Sequence, residues 1–173
     1  MANPWRIEQL SSSHQRGSFE CGVPSLDDFL RLRSTQYERR HLARTYVLVR
    51  DADLQVLGYY TLATGCLKPS LLPAKLARKL PEHPVPVALL GRLAIDRRVQ
   101  GKGLGRVMLL DALARCANYS QHIGIALVEV HALDDAAKTF YQQFGFQSLE
   151  DNDRHMYLPM NLVPRDLAES ADS

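Results

Sequence analysis

The residues best suited to do chemistry lie in the run Gln100-Gly101-Lys102-Gly103-Leu104-Gly105. Three glycines in six positions let backbone N–H groups approach a phosphate closely, and a helix starting there would add the partial positive charge of its N-terminus. A phosphate-bearing ligand is the chemistry this pattern predicts; a structural turn without a ligand is the other reading of the triplet taken alone. Two nucleotide patterns are excluded. No Gly-x-x-x-x-Gly-Lys-Ser/Thr occurs, and Gly101-x-Gly103-x-Gly105 lacks the Gly-x-Gly-x-x-Gly spacing of a dinucleotide fingerprint.

A second set of residues is ionisable. Glu129 and His131 stand in a run that reads as a buried strand, and alternation is expected to send them to opposite faces, so that at most one meets a substrate; otherwise each makes a structural hydrogen bond. Arg92 sits inside an apolar strand, where an unpaired charge is costly, so it must meet an anion, a carboxylate such as Asp96 or Glu129, or solvent. Arg31, Arg39, Arg40 and Arg44, with Lys75, Arg78 and Lys79, read either as a phosphate-neutralising set or as solvated surface charge. The histidines show neither His-x-x-x-His nor a cluster, so no metal site is expected. Cys21, Cys66 and Cys116 are odd in number and far apart, which leaves no disulfide framework and no Cys-x-x-Cys pair; they read as reduced and mostly buried.

The elements that must position these groups follow from periodicity. Residues 5–8 open as a short strand, and Ser11–Gly22 is a polar connection. Ser25 is the expected cap of a helix whose Leu26, Phe29, Leu30, Arg33 and Tyr37 share one face. Thr45–Arg50 and Val56–Ala63 form an antiparallel hairpin around Asp51-Ala52-Asp53. Five prolines mark Lys68–Pro86 as a surface excursion with a short helix over 74–80, a candidate substrate-facing lid. Val87–Ile95 reads as a central strand, followed by the glycine loop and a helix to about Asn118 with Val107, Leu110, Leu113 and Ala114 on one face. Ile125–Val130 is a further buried strand, Asp134–Phe144 a helix, and Phe146–Met160 two closing strands. The layout is α/β.

At 173 residues the chain fits one domain, assigned here to 1–163, with 164–173 expected to be a flexible tail. No leader and no membrane-length apolar run is evident, so a cytoplasmic protein is expected. The small net charge of +2 conceals an asymmetry: residues 1–118 hold 18 Lys/Arg against 10 Asp/Glu, a balance of +8, and residues 119–173 hold 3 against 9, a balance of −6. A basic portion of this size reads either as a surface for an anionic partner or as a solvated surface of uneven charge.

Gln100-x-x-Gly103-x-Gly105 resembles the pyrophosphate loop of the GNAT N-acetyltransferase superfamily. Three further stretches match in order: Leu93-Ala94-Ile95-Asp96, Val130-His131-Ala132-Leu133, and Asp134-Asp135-Ala136-Ala137-Lys138-Thr139-Phe140-Tyr141-Gln142-Gln143-Phe144-Gly145-Phe146. The resemblance implies a mixed, mostly antiparallel sheet of six to seven strands with strands four and five splayed, flanked by about four helices. It implies acetyl-CoA as cofactor, held by Leu93, Ala94, Ile95, Gln100, Gly101, Lys102, Gly103, Leu104, Gly105, Asp134, Ala137, Phe140 and Phe144. Where the family commonly has Asn, this chain has Asp134, which still caps a helix but leaves open any contact that the family's amide makes to the cofactor.

Phe19-Glu20-Cys21-Gly22, Leu26-Asp27-Asp28-Phe29-Leu30, Gly58-Tyr59-Tyr60-Thr61-Leu62, Pro84-Val85-Pro86 and Leu90-Gly91-Arg92-Leu93-Ala94 are further similar to the acetyltransferase toxins of bacterial toxin-antitoxin pairs. That likeness implies acetylation of the α-amino group of aminoacyl-tRNA, a block of translation, a homodimer, and neutralisation by a ribbon-helix-helix antitoxin that would make any DNA contacts. The basic set named above, with Arg92, would then meet tRNA. Tyr141 would protonate the departing thiolate, since a phenol stays protonated at neutral pH. No general base is evident; the ester-lowered pKa of the substrate amine reduces the need for one. A housekeeping enzyme acting on a small amine or protein N-terminus would want an acidic pocket, and a non-catalytic CoA-binding module would dispense with Tyr141 or the glycine loop.

Overall fold

Propensity and apolar alternation place the main elements where the sequence predicts them, with ends shifted by a few residues. The computed structural model describes residues 4–164, so all of the expected tail except Pro164 lies outside the described residues. In chain order the elements are β1 (Trp5–Gln9), α1 (Pro24–Asp28), α2 (Ser34–Arg39), β2 (Arg44–Arg50), β3 (Gly58–Leu67), α3 (Ala74–Ala77), β4 (Val85–Ile95), α4 (Leu104–Tyr119), β5 (Leu127–His131), α5 (Asp135–Gln142), β6 (Gln147–Ser148) and β7 (His155–Pro159). The strands follow the order β1-β2-β3-β4-β5-β7-β6. β4 and β5 pair in parallel, whereas β1–β2, β2–β3, β5–β7 and β6–β7 are antiparallel, the mixed seven-stranded sheet expected above. Two compact units divide the chain, residues 1–63 with 91–112 and residues 64–90 with 113–173. Among the described residues no helix is long and apolar enough to cross a membrane.

In the first unit, β2 and β3 pair from Arg44↔Leu62 to Leu48↔Gly58, the predicted hairpin. α1 begins one residue before the expected cap. Pro24 occupies the first turn, where its fixed φ suits a helix start, and Val23 precedes it without a side-chain cap, so Ser25 caps nothing. Phe29–Arg33 then widen into a π-helical turn between α1 and α2. Ser34 Oγ donates to Leu30 O at 2.6 Å within this stretch, a local bond that competes with regular helical spacing. The wider turn keeps Phe29 and Leu30 buried but leaves Arg33, expected on the apolar face, in solvent. Phe19, Phe29, Leu30, Val47, Val49, Val56, Tyr59 and Ala94 form the core. Phe19 meets Tyr59 edge-on at 5.5 Å, and Phe29 stacks on it at 6.1 Å.

In the second unit, Val87–Leu90 of β4 pairs with Leu127–Val130 of β5, and β5 pairs with β7 from Leu127↔Pro159 to His131↔His155. Its core is Leu67, Leu72, Val85, Val87, Leu127, Leu149 and Tyr157. The helix predicted over 74–80 ends after one α turn; Lys79 N and Leu80 N bond three residues back, to Leu76 O and Ala77 O, in a tighter coil.

α4 buries Leu104, Met108, Leu109, Ala112, Leu113, Ala114 and Cys116, while Val107, expected on the inner face, is 39% exposed. Only Cys116 of the three cysteines is buried; Cys21 is half-buried, and Cys66 is exposed in the solvent-facing end of β3.

Candidate functional site

The glycine loop joins β4 to α4, a helix of 16 residues. Gly101 and Gly103 both have φ of +77°, a region that costs other residues about 1–2 kcal/mol, and a side-chain carbon at either would meet nothing within 4 Å. The glycines are therefore required by backbone conformation rather than by crowding. Gln100, Gly101, Lys102 and Gly103 are exposed, and the loop contains no carboxylate, so its donor set fits a phosphate. Leu93, Ala94 and Ile95 lead into it, half-buried, buried and half-buried.

A brace the sequence reading missed holds this loop. Asp96, 1% exposed, accepts from Glu20 N at 3.1 Å, from Arg98 N at 2.9 Å and from the Arg98 guanidinium at 2.7 and 2.8 Å. Burial alone would raise its pKa, but these donors outweigh burial and hold the carboxyl below its ordinary range. Gln100 Nε2 donates to Cys21 O and Ile95 O, both at 2.8 Å, and Arg97 reaches Glu20 at 3.0 Å. The Gln100 side chain thus fastens the loop to the Phe19–Gly22 segment instead of pointing at a ligand. An acidic residue directly after an apolar strand, with arginines at the next two positions, was the available signal.

Arg92 meets none of the carboxylates considered for it. Its guanidinium lies 3.6 Å from the Phe29 ring centroid and 5.5 Å from that of Tyr37, a cation–π arrangement. Arg31 donates through Nε at 2.9 Å, and also through Nη2, to Phe19 O, and Arg44 pairs with Glu38 at 2.8 Å. Of the seven-residue basic set, Arg39, Arg40, Lys75, Arg78 and Lys79 are the exposed members. The first two belong to the first unit and the last three to the second.

The expectation that Glu129 and His131 face opposite ways is overturned. Residues two apart share a face of a strand, and His131 Nε2 lies 3.4 Å from Glu129 Oε1. His155 comes from β7 to place Nε2 2.5 Å from the same oxygen, and its Nδ1 is 3.0 Å from Asp151. The rings of His131 and His155 stack at 4.2 Å. Burial opposes charging His155, but the bonds to Asp151 and Glu129 prevail and raise its pKa. The histidines expected to be unclustered therefore do cluster once folded.

α5 carries the remaining candidates. Asp134 caps it, accepting from Ala137 N at 2.8 Å, so the aspartate in place of asparagine keeps the cap. Ala137, Phe140 and Phe144 are half-buried, and Tyr141 is 7% exposed, edge-on to Phe140 at 5.3 Å and Phe146 at 5.4 Å. Burial pushes the Tyr141 phenol above its ordinary pKa, so it remains protonated throughout the neutral range. Its hydroxyl has no hydrogen-bond partner among the described residues.

A family model described as the acetyltransferase (GNAT) domain matches residues 43–148. A tRNA-acetylating toxin of Mycobacterium tuberculosis is 40% identical over 152 residues, covering 88% of this chain and 90% of the relative. A probable toxin TacT of Sinorhizobium fredii is 31% identical over 166 residues, covering 91% and 92%. Among solved structures, a tyrosine-to-phenylalanine mutant of KacT superposes with a TM-score of 0.88 at 31% identity, covering 93% of this chain and 98% of that one. AtaT complexed with acetyl-methionyl-tRNAfMet gives 0.85 at 34% identity, covering 91% and 95%. A mutant AtaT bound to acetyl-CoA and the C-terminus of its antitoxin AtaR gives 0.80 at 31% identity, covering 93% and 96%.

Proposed function

This chain belongs to the GNAT acetyltransferase family, and from that membership we propose that it is an acetyl-CoA-dependent toxin that acetylates the α-amino group of aminoacyl-tRNA and blocks translation. The observation that carries the reading is the 40% identity to a tRNA-acetylating toxin across 88% of the chain. The two left-handed glycines at the start of α4 support it, because they prepare a phosphate-binding turn.

When bound, acetyl-CoA supplies an activated thioester. The backbone of Gln100–Gly105 and the start of α4 would hold the pyrophosphate, with Lys102 adding positive charge, while Leu93, Ala94 and Ile95 would present their backbone to the pantetheine arm. By the resemblance to the family, Asp134, Ala137, Phe140 and Phe144 of α5 would also contact the cofactor. A backbone N–H within Leu93–Ile95 would polarise the acetyl oxygen towards attack by the neutral amine. Tyr141 would donate its phenolic proton to the departing thiolate sulfur and regain one through solvent from the acylated amine, and its burial-raised pKa keeps that proton in place at neutral pH. The amine of an aminoacyl ester is acidified by the adjacent ester, so it reaches its neutral form without a dedicated base. Arg39, Arg40, Lys75, Arg78 and Lys79 contact tRNA phosphates. Homodimerisation, a ribbon-helix-helix antitoxin that supplies any DNA contacts, and a cytoplasmic location complete the reading.

The test is transfer of labelled acetyl from acetyl-CoA to charged tRNAs, compared with deacylated tRNA and with Tyr141→Phe. Label on charged tRNA alone, lost in the variant, is the expected result. Acetylation of small amines or peptides but of no charged tRNA would overturn the toxin reading.

A further inference from the structure

We infer that Glu129, His131 and His155 form a binding site for a divalent transition metal of the zinc class, with Asp151 orienting His155. The site lies wholly within the second unit and stands independently of acetyl transfer. Strand register assembles it: His131 and His155 are directly opposed residues of β5 and β7, and Glu129 precedes His131 by two on the same face. A rigid ladder of backbone hydrogen bonds therefore sets the positions of the three side chains.

The chemistry of the donor set selects the ligand class. One ligand atom from each residue lies within 4.8 Å of the other two. Donors bound tetrahedrally to one zinc ion at about 2.0–2.2 Å sit about 3.3–3.6 Å apart, so closing on an ion requires shifts of up to about 1.5 Å. His131 can supply them, because its side chain is 62% exposed. The 2.5 Å contact between His155 Nε2 and Glu129 Oε1 opens as the ion enters. Asp151 flanks the other nitrogen of His155, with both carboxylate oxygens 3.0 Å from Nδ1. A carboxylate there accepts a hydrogen bond from Nδ1–H, which keeps the proton on Nδ1 and leaves Nε2 as the ligand atom, the usual support of a metal-bound histidine. Two imidazoles and one carboxylate suit zinc and its neighbours; magnesium and calcium prefer all-oxygen sites. The exposed side of His131 leaves a fourth position for water.

The experiment uses the tag-free full chain, stripped with a chelator and titrated calorimetrically with Zn²⁺ and with Mg²⁺, and with Co²⁺ followed by visible absorption. One Zn²⁺ per chain, no Mg²⁺ binding, and cobalt bands of low coordination number are expected. His131→Ala, at an exposed position whose loss leaves the fold intact, should weaken Zn²⁺ binding at least about 10-fold and abolish the cobalt bands. Asp151→Asn should weaken it about 10- to 100-fold. Absence of zinc binding would overturn the site. So would binding of unchanged affinity in His131→Ala, which would place the ion elsewhere, such as at the exposed thiol of Cys66.

Discussion

The guanidinium of Arg92 lies 3.6 Å from the centre of the Phe29 ring. A planar cation over an aromatic face, with Tyr37 as a second ring at 5.5 Å, covers the otherwise buried Phe29 and ties β4 to the helical segment of the first unit. Arg92→Lys retains the charge but loses the planar stack. It should lower the urea midpoint by an amount equivalent to about 1 kcal/mol. Unchanged stability, with a raised KM for charged tRNA instead, would assign Arg92 to phosphate contact.

Tyr141→Phe should separate stability from activity. The hydroxyl has no partner among the described residues, so its removal leaves the melting temperature within a few degrees of the parent. Acetyl transfer at saturating acetyl-CoA should fall about 10²- to 10⁴-fold, the usual scale for losing a general acid. A fall of less than about threefold would remove Tyr141 from the chemistry.

Gly103→Ala tests the loop backbone. With φ at +77° and nothing within 4 Å of the added carbon, the substitution strains conformation without creating a clash. It should cost about 1 kcal/mol and raise the KM for acetyl-CoA while leaving the KM for the amine substrate unchanged. An unaltered acetyl-CoA KM would separate the loop from the cofactor.

Asp96 predicts a specific pH response. Burial acts to raise its pKa, but the Arg98 and Glu20 donors lower it below its ordinary 3.8. The stabilisation is therefore complete above that ordinary value and is lost as pH falls through the lower folded one. Asp96→Asn should cost about 1.5–3 kcal/mol at pH 7, the scale of a hydrogen bond to a charged group. Chemical denaturation at pH 7 and across the acid range checks it: the gap between parent and variant should shrink below pH 3.8. A gap constant with pH would show that the charge of Asp96 contributes nothing.

Lys75, Arg78 and Lys79 are exposed on and beside α3. Replacing Arg78 or Lys79 with alanine should weaken tRNA binding and reduce the salt slope of its logarithmic affinity by about one per side chain. Binding and slope unchanged by both replacements would exclude this face from the tRNA interface.

The sequence by itself determined the elements and the loop, because those depend on interactions between near neighbours in the chain. Positive-φ glycines ahead of a 16-residue helix, a hairpin around Asp51-Ala52-Asp53, and the Asp134 cap are all local choices of backbone conformation. The period of two also put Glu129 and His131 on one face, a relation present in the sequence although the reading assigned them to opposite faces. Even the helix start at Pro24 was legible there, had proline been weighed above serine.

Tertiary structure alone decided where long side chains went. Arg31, Arg92 and Gln100 have enough reach to meet a ligand, but each found a partner distant in sequence: the Phe19 carbonyl, the Phe29 ring and the Cys21 carbonyl. His155 met Glu129 across 26 positions because the β5–β7 register opposes His131 to His155. Register depends on which apolar faces pack together over the whole sheet, and a one-residue slip would have turned His155 to the other face. No local pattern encodes that outcome.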